Sequence, residues 1–84
     1  METRMNSARS NLQWTEARLA SIRSNLEAAQ RLDPRAKHDL ANALCLVISC
    51  REILLEEKPE AELIDEAEAA LKRALEIAYC VEAG

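Results

Sequence analysis

The sequence is poor in the residues that build turns and sheets. It has one glycine, Gly84, two prolines and no phenylalanine, and its aromatic residues are Trp14 and Tyr79. A β-sandwich or barrel requires turn glycines together with β-branched or aromatic strands, so this composition argues against both. Alanine, leucine, glutamate and arginine, which favour helices, dominate the 84 residues instead. We therefore predict one all-α unit.

A large excess of either charge is also absent. The net charge is -4, with five arginines against three glutamates in residues 1–32 and six basic against twelve acidic residues in 33–84. A nucleic-acid interface needs basic residues clustered on one face, and these are scattered, so no nucleic-acid partner is expected. We find no signal-peptide pattern and no apolar run long enough to span a bilayer, and we expect no membrane insertion.

The cysteines form no recognisable framework. The sequence has three cysteines, Cys45, Cys50 and Cys80, which is an odd number. No two of them have the close spacing typical of paired zinc ligands. We therefore expect a reduced, cytoplasmic protein whose cysteines fill the core as small apolar residues. No metal site is predicted.

Two prolines divide the chain into helices. Asp33 before Pro34 is typical of an N-cap followed by proline at the first helical position, although Pro34 could instead kink one longer helix. Pro59, followed by acidic residues, marks a second boundary. We predict an amphipathic helix within residues 1–32 and a helical hairpin within 33–84. The predicted helices span 7–32, 34–57 and 59–82.

The first and third helices carry regular apolar stripes. A heptad seam, typical of a coiled coil, runs through Met5, Ala8, Leu12, Thr15, Leu19, Ile22, Leu26 and Ala29. The stripe of the third helix comprises Ile64, Ala67, Leu71, Ala74, Leu75, Ala78 and Val81. Trp14 lies off the seam, and we expect it to pack against another helix rather than contact a partner. The pattern leaves open whether the first helix folds back on the hairpin or extends as a coil.

The second helix is more apolar than a hairpin requires. Twelve of the sixteen residues 40–55 are apolar, and Arg51 falls among the core positions on a helical wheel. A helix of this kind must be covered on most sides, which one hairpin neighbour cannot do. We therefore predict a homodimer with a four-helix core.

His38, the only histidine, lies on the polar side of this apolar helix. At about 100° per residue, Asn42 and Ser49 fall within roughly 40° of it. Leu40 and Val47 fall on the opposite side. The imidazole is therefore predicted to point outward, although an ordinary exposed histidine near a helix start would give the same pattern.

An outward histidine can accept a phosphoryl group. Imidazole is a nucleophile near neutral pH when one ring nitrogen is unprotonated. Asp39 could hold or take up the ring proton, and Asn42 could position a water or a phosphoryl oxygen. Arg35 and Lys37 could screen phosphate charge, and phosphoryl transfer needs little else from a protein. We therefore consider His38, Asp39 and Asn42 candidate catalytic residues, with Arg35 and Lys37 near the phosphate.

The segment His38-Asp39-Leu40-Ala41-Asn42 resembles the H-box of sensor histidine kinases, in which histidine and an acidic residue precede two free positions and Asn or Thr. The resemblance extends over residues 25–83 and implies the dimerisation and histidine phosphotransfer domain of that family, or a related dimeric phosphotransferase. It implies a dimeric hairpin whose His38 exchanges phosphate with a response-regulator receiver domain or with a kinase in trans.

Three departures limit what the resemblance implies. Ala43 stands where the family usually has proline, and Pro34 lies where the family helix normally runs on. A single glycine excludes the glycine-rich ATP lid, so the chain is not expected to phosphorylate itself from ATP. We expect no cofactor bound by this chain, with Mg²⁺ supplied on a receiver partner. The alternative is a non-catalytic helical interaction protein, such as an adaptor, secretion chaperone or inhibitor, acting through its apolar helix faces.

Overall fold

Three helices run alternately up, down and up. The computed structural model describes residues 2–56 and 59–84, with α1 at Glu2–Ala28, α2 at Pro34–Leu54 and α3 at Ala61–Ala83. No strand occurs within those residues, which confirms the predicted all-α fold. The helices form a rod of 43 × 17 × 17 Å. Within the described ranges, no helix is both long and apolar enough to cross a membrane.

Contacts between the helices define their directions. Arg9 of α1 donates to the Leu54 carbonyl of α2 at 2.8 Å, joining the start of one helix to the end of the next. Along α3, Arg4 of α1 binds Glu68 at 3.0 Å, and Arg31, just after α1, donates to the Glu82 carbonyl at 3.0 Å. Helix α1 is therefore antiparallel to α2 and parallel to α3. It folds back on the hairpin, which settles a question that the sequence left open.

One apolar core lies between the three helices. Helix α1 buries seven of the eight predicted seam residues, from Met5 to Leu26. Five of the predicted α3 positions are buried, and Leu75 and Val81 are half-buried. The residues that α2 buries are Ala36, Leu40, Ala43, Val47, Cys50 and Leu54. Each helix thus turns one apolar stripe inward and is covered by the other two.

Helix α1 ends earlier than predicted, at Ala28 rather than at residue 32. Arg31 N–H donates to the Leu26 carbonyl at 2.8 Å, and Gln30 N–H to the Glu27 carbonyl at 3.1 Å. This is the Schellman pattern, and it places Gln30 in the left-handed region with φ 57°. Ala29, predicted to be buried in the seam, is exposed because the helix has already ended.

Helix α2 begins at Pro34 as predicted, whereas the remaining boundaries shift, and α1 begins at Glu2 rather than at residue 7. Helix α2 ends at Leu54, where Glu56 N–H turns back to the Ile53 carbonyl at 3.3 Å. Inside a helix, the proline ring clashes with the carbonyl four residues earlier, and Pro59 accordingly lies before the start of α3. Helix α3 begins at Ala61 after an extended Glu60. The predicted end of the second helix at Glu57 lies outside the described residues.

Four further side chains expected in the core are exposed, namely Trp14, Arg51, Cys45 and Cys80. Trp14 is 52% exposed, because α2 and α3 both pack on the seam side of α1. Arg51 lies at the edge of α2 beside α1, where its guanidinium is 3.8 Å from the Glu16 carboxylate. Among the cysteines, Cys50 is buried as predicted.

Cys45 and Cys80 are exposed, so core filling was the wrong prediction for both. Cys45 lies at an exposed position of α2, and Cys80 borders the cleft between α2 and α3. An apolar count along the sequence does not distinguish such positions from the core.

Candidate functional site

The candidate histidine lies in the second turn of a well-capped helix. Asp33 is the N-cap of α2, and its Oδ1 accepts a hydrogen bond from the Ala36 N–H at 2.7 Å. Pro34 occupies the first helical position, where its missing N–H costs no hydrogen bond. The cap fixes the start of α2, and His38 therefore stands on an ordered backbone.

His38 is exposed and has one polar neighbour among the described residues. Its Nε2 lies 3.4 Å from Nδ2 of Asn42, one turn further along α2. An amide nitrogen donates, so in a hydrogen bond between these two atoms Nε2 is the acceptor. The distance is at the long end for a hydrogen bond, and an incoming group can displace the amide.

Asp39 is turned away from His38. It is half-buried and faces α3, where it lines a cleft with Arg35, Cys80 and Val81. Within residues 2–56 and 59–84, it makes no hydrogen bond or ion pair with the imidazole. The structure thus brings Asp39 and Arg35 together, but not Asp39 and His38.

The two candidate phosphate-screening cations flank α2 on opposite sides. Arg35 lines the cleft toward α3, whereas Lys37 lines a groove toward α1. Both are exposed, and neither has an ion-pair partner in the described part of the chain. A phosphoryl group on His38 would therefore have a cation available on either side, each on a long and mobile stem.

A second surface feature was not recognised from the sequence. Along α2, the exposed residues Ala41, Leu44 and Ile48 form a row, which we call the α2 stripe. Leu55, at the C-cap, is also exposed and is separated from this row by Arg51 and Glu52. Leu44 is 44%, Ile48 49% and Leu55 62% exposed. The excess of apolar residues in α2 indicated this feature, because α1 and α3 together bury only some of them.

The α2 stripe continues into a groove between α1 and α2. This α1–α2 groove has a volume of about 350 Å³. Its apolar lining consists of Leu19, Ala20, Leu32, Leu40, Ala41 and Leu44. Its charged lining consists of Glu16, Arg23 and Lys37. Apolar walls with a few charged side chains are typical of surfaces that bind a partner.

No group of three or more His, Cys, Asp or Glu side chains within the described ranges could hold a metal ion. Comparison with models of protein families, with curated proteins and with solved structures gives no match to this chain. The candidate functions therefore depend on the residues and contacts above.

Proposed function

We propose that the protein is a histidine phosphotransfer module of two-component signalling, with His38 as the phosphoacceptor. The observation that carries the proposal is an exposed imidazole on an ordered helix, with the Asn42 amide directed at one ring nitrogen at 3.4 Å. A phosphoryl donor on another protein can approach such a ring without any movement of the bundle.

The proposed reaction takes a phosphoryl group from a phospho-aspartate of a receiver domain. The unprotonated nitrogen of His38 attacks phosphorus, so a P–N bond forms and the acyl P–O bond breaks. The aspartate carboxylate leaves with the electron pair, and the remaining ring proton passes to solvent. Mg²⁺ on the receiver would balance the charge of the phosphoryl oxygens, and the reverse reaction returns the group to aspartate.

The neighbouring residues take different parts in this proposal. Asn42 orients the ring and then binds a phosphoryl oxygen, because its amide carries two donors. Arg35 and Lys37 draw in the phosphoryl group from either side. Asp39 faces the cleft beside α3, so we assign it to the receiver contact rather than to the ring proton.

The test is phosphorylation by a panel of receiver domains charged with acetyl phosphate. We expect acid-labile label on the wild-type protein, none on His38→Ala and reduced label on Asn42→Ala. Because His38 is exposed, both variants should keep the helical circular dichroism and melting temperature of the wild type. Absence of label from the wild type across a broad panel would contradict the proposal, as would equal labelling of His38→Ala.

A second candidate is favoured by the exposure of Trp14. Tryptophan is the residue most enriched at the energetic centres of protein interfaces, and this one stands half-exposed beside Ser7, Ser10 and Asn11 on α1. A non-catalytic helical interaction protein would bind its partner there. In that case His38→Ala still binds the partner, whereas Trp14→Ser no longer does. The phosphotransfer proposal predicts the reverse, with loss of activity in His38→Ala and none in Trp14→Ser.

We also propose that the protein is a homodimer. Its support is the row of large apolar side chains on α2 that neither α1 nor α3 covers. Exposed apolar side chains grouped on one helix face are a common feature of surfaces that bind another protein.

A further inference from the structure

We propose that the α1–α2 groove binds a medium-chain fatty acid, with the carboxylate head at Arg23 and Lys37 and the alkyl chain along the leucine floor. This inference goes beyond phosphotransfer at His38, and it depends neither on that reaction nor on the proposed homodimer. It has two supports, the dimensions and lining of the groove and the charges along it.

The lining of the groove is that of a small-molecule site. Ligand pockets are mostly apolar, with a few placed polar groups, and a volume of about 350 Å³ is within their range. Leu19 and Leu40 belong to the core and form the floor. Leu44, which is 44% exposed, lies on the open side. An apolar chain in the groove would shield this leucine from water.

The dimensions of the groove favour an alkyl chain over a helix of another protein. From Lys37 to Leu44 it runs about 10 Å along α2, the length of roughly nine bonds of an extended chain. A volume of about 350 Å³ over that length leaves a cross-section of about 35 Å². An α-helix about 10 Å in diameter has more than twice that cross-section. A helix would therefore rest on the rim, whereas an alkyl chain can enter.

Two cations of the groove lack a counter-ion. Arg23 and Lys37 line the groove near the end where α2 begins. Both are exposed, and neither has an ion-pair partner among the described residues. Arginine and lysine bind carboxylates through charge-assisted hydrogen bonds. A single anionic head group at this end would therefore be matched by two cations.

The acidic residues nearby do not neutralise this end. Glu16, which lines the groove further along α1, has its carboxylate 3.8 Å from the Arg51 guanidinium. Asp33 is the N-cap of α2, and Glu27 is exposed on α1. Neither Asp33 nor Glu27 lines the groove. The uncompensated charge of the lining is thus positive and lies at one end, as an amphiphile with one carboxylate requires.

The first experiment is a titration with decanoate, kept below its micellar concentration and followed by the backbone amide resonances in NMR. We expect saturable binding with shifts concentrated at Leu19, Leu40 and Leu44. Affinity should rise roughly threefold with each CH₂ from octanoate to decanoate, because each buried CH₂ adds a similar free energy. Decyltrimethylammonium, which has the same chain and a positive head, should bind at least tenfold more weakly.

Substitution of the cations tests the position of the head group. The double variant Arg23→Gln, Lys37→Gln should bind decanoate at least tenfold more weakly than the wild type. Arg35→Gln, which removes an exposed cation from the opposite side of α2, is the matched control and should bind as the wild type does. Circular dichroism verifies that each variant is folded.

Absence of saturable decanoate binding to the wild type would overturn the proposal. Equal binding of decyltrimethylammonium, or unchanged affinity in the double variant, would also overturn it, because the groove would then not select a carboxylate. Shifts confined to residues outside the groove would overturn it as well, and would leave the groove to a protein partner.

Discussion

At the scale of single residues, the buried hydroxyl of Thr15 lowers the stability of the protein. Thr15 is fully buried on the seam of α1, and its Oγ1 has no hydrogen-bond partner among the described residues. A buried hydroxyl without a partner retains its full desolvation cost. Replacing it with a methyl group keeps the shape of the side chain and removes that cost.

We therefore predict that Thr15→Val stabilises the protein by about 1 kcal/mol. Urea unfolding followed by circular dichroism measures the change. Thr15→Ser, which keeps the hydroxyl and loses the methyl, should destabilise instead. A less stable valine variant would mean that the hydroxyl is satisfied in solution.

Cys50 makes the stability of the folded protein depend on pH in the alkaline range. Its thiol is buried and donates to the Ala67 carbonyl at 3.1 Å, and burial raises its pKa above the ordinary value of 9.0. The folded state therefore holds this proton at pH values where the unfolded chain releases it. The resulting stabilisation is complete below pH 9.0 and is lost as the pH rises through the folded pKa.

We predict that the free energy of unfolding of the wild type falls between pH 8 and 10 more steeply than that of Cys50→Ala. Urea titrations at several pH values under reducing conditions give the two slopes. Cys45→Ala, which removes an exposed thiol, is the matched control and should retain the wild-type slope. Parallel slopes for wild type and Cys50→Ala would contradict the prediction.

The exposure of single side chains could be predicted only in part. The wheel of α2 placed His38 outward because polar residues surround it in that direction, and the structure agrees. The orientation of Asp39 toward α3 could not be predicted, because it depends on which side of α2 the third helix occupies. The exposure of Trp14 escaped prediction for the same reason.

At the scale of the helices, the end of α1 is strained. Gln30 adopts φ 57°, a conformation that costs a residue with a side chain about 1 kcal/mol and glycine almost nothing. The Schellman hydrogen bonds impose this conformation, and the sequence supplies no glycine for it. That lack is also why the boundary was predicted four residues too late.

We predict that Gln30→Gly stabilises the protein by roughly 0.5–1 kcal/mol, measured by thermal or urea unfolding. The matched control is Gln13→Gly, an exposed position in the middle of α1, which should destabilise by a similar amount. The two substitutions are chemically identical, so opposite signs would establish the left-handed conformation at residue 30. Equal destabilisation would show that Gln30 is not strained.

The number and type of helices and the start of α2 at Pro34 followed directly from the sequence, whereas the other helix ends did not. Pro34 and Pro59 break the helical pattern by simple sterics, and heptad spacing placed seven core residues of α1 correctly. Helix ends depend on hydrogen bonds to carbonyls one turn back, such as that from Glu56 to Ile53. Residue type alone does not specify these bonds.

At the scale of the whole molecule, the main unknown was the position of α1. The apolar excess of α2 predicted a four-helix core built by two chains, yet α1 of the same chain provides part of that cover. What α1 leaves uncovered is the α2 stripe, which supports the proposed dimer. The apolar pattern of a helix shows how much of its surface must be buried. It does not show whether the same chain or a second chain buries that surface.

An odd number of helices has a mechanical consequence. Since α1 and α3 are parallel, the chain enters the bundle at one end and leaves it at the other, along a rod 43 Å long. Tension applied through Glu2 and Gly84 would pull the helices past one another along their length instead of peeling them apart from one end. Such a pull would therefore load the packed faces of the helices in shear along their whole length.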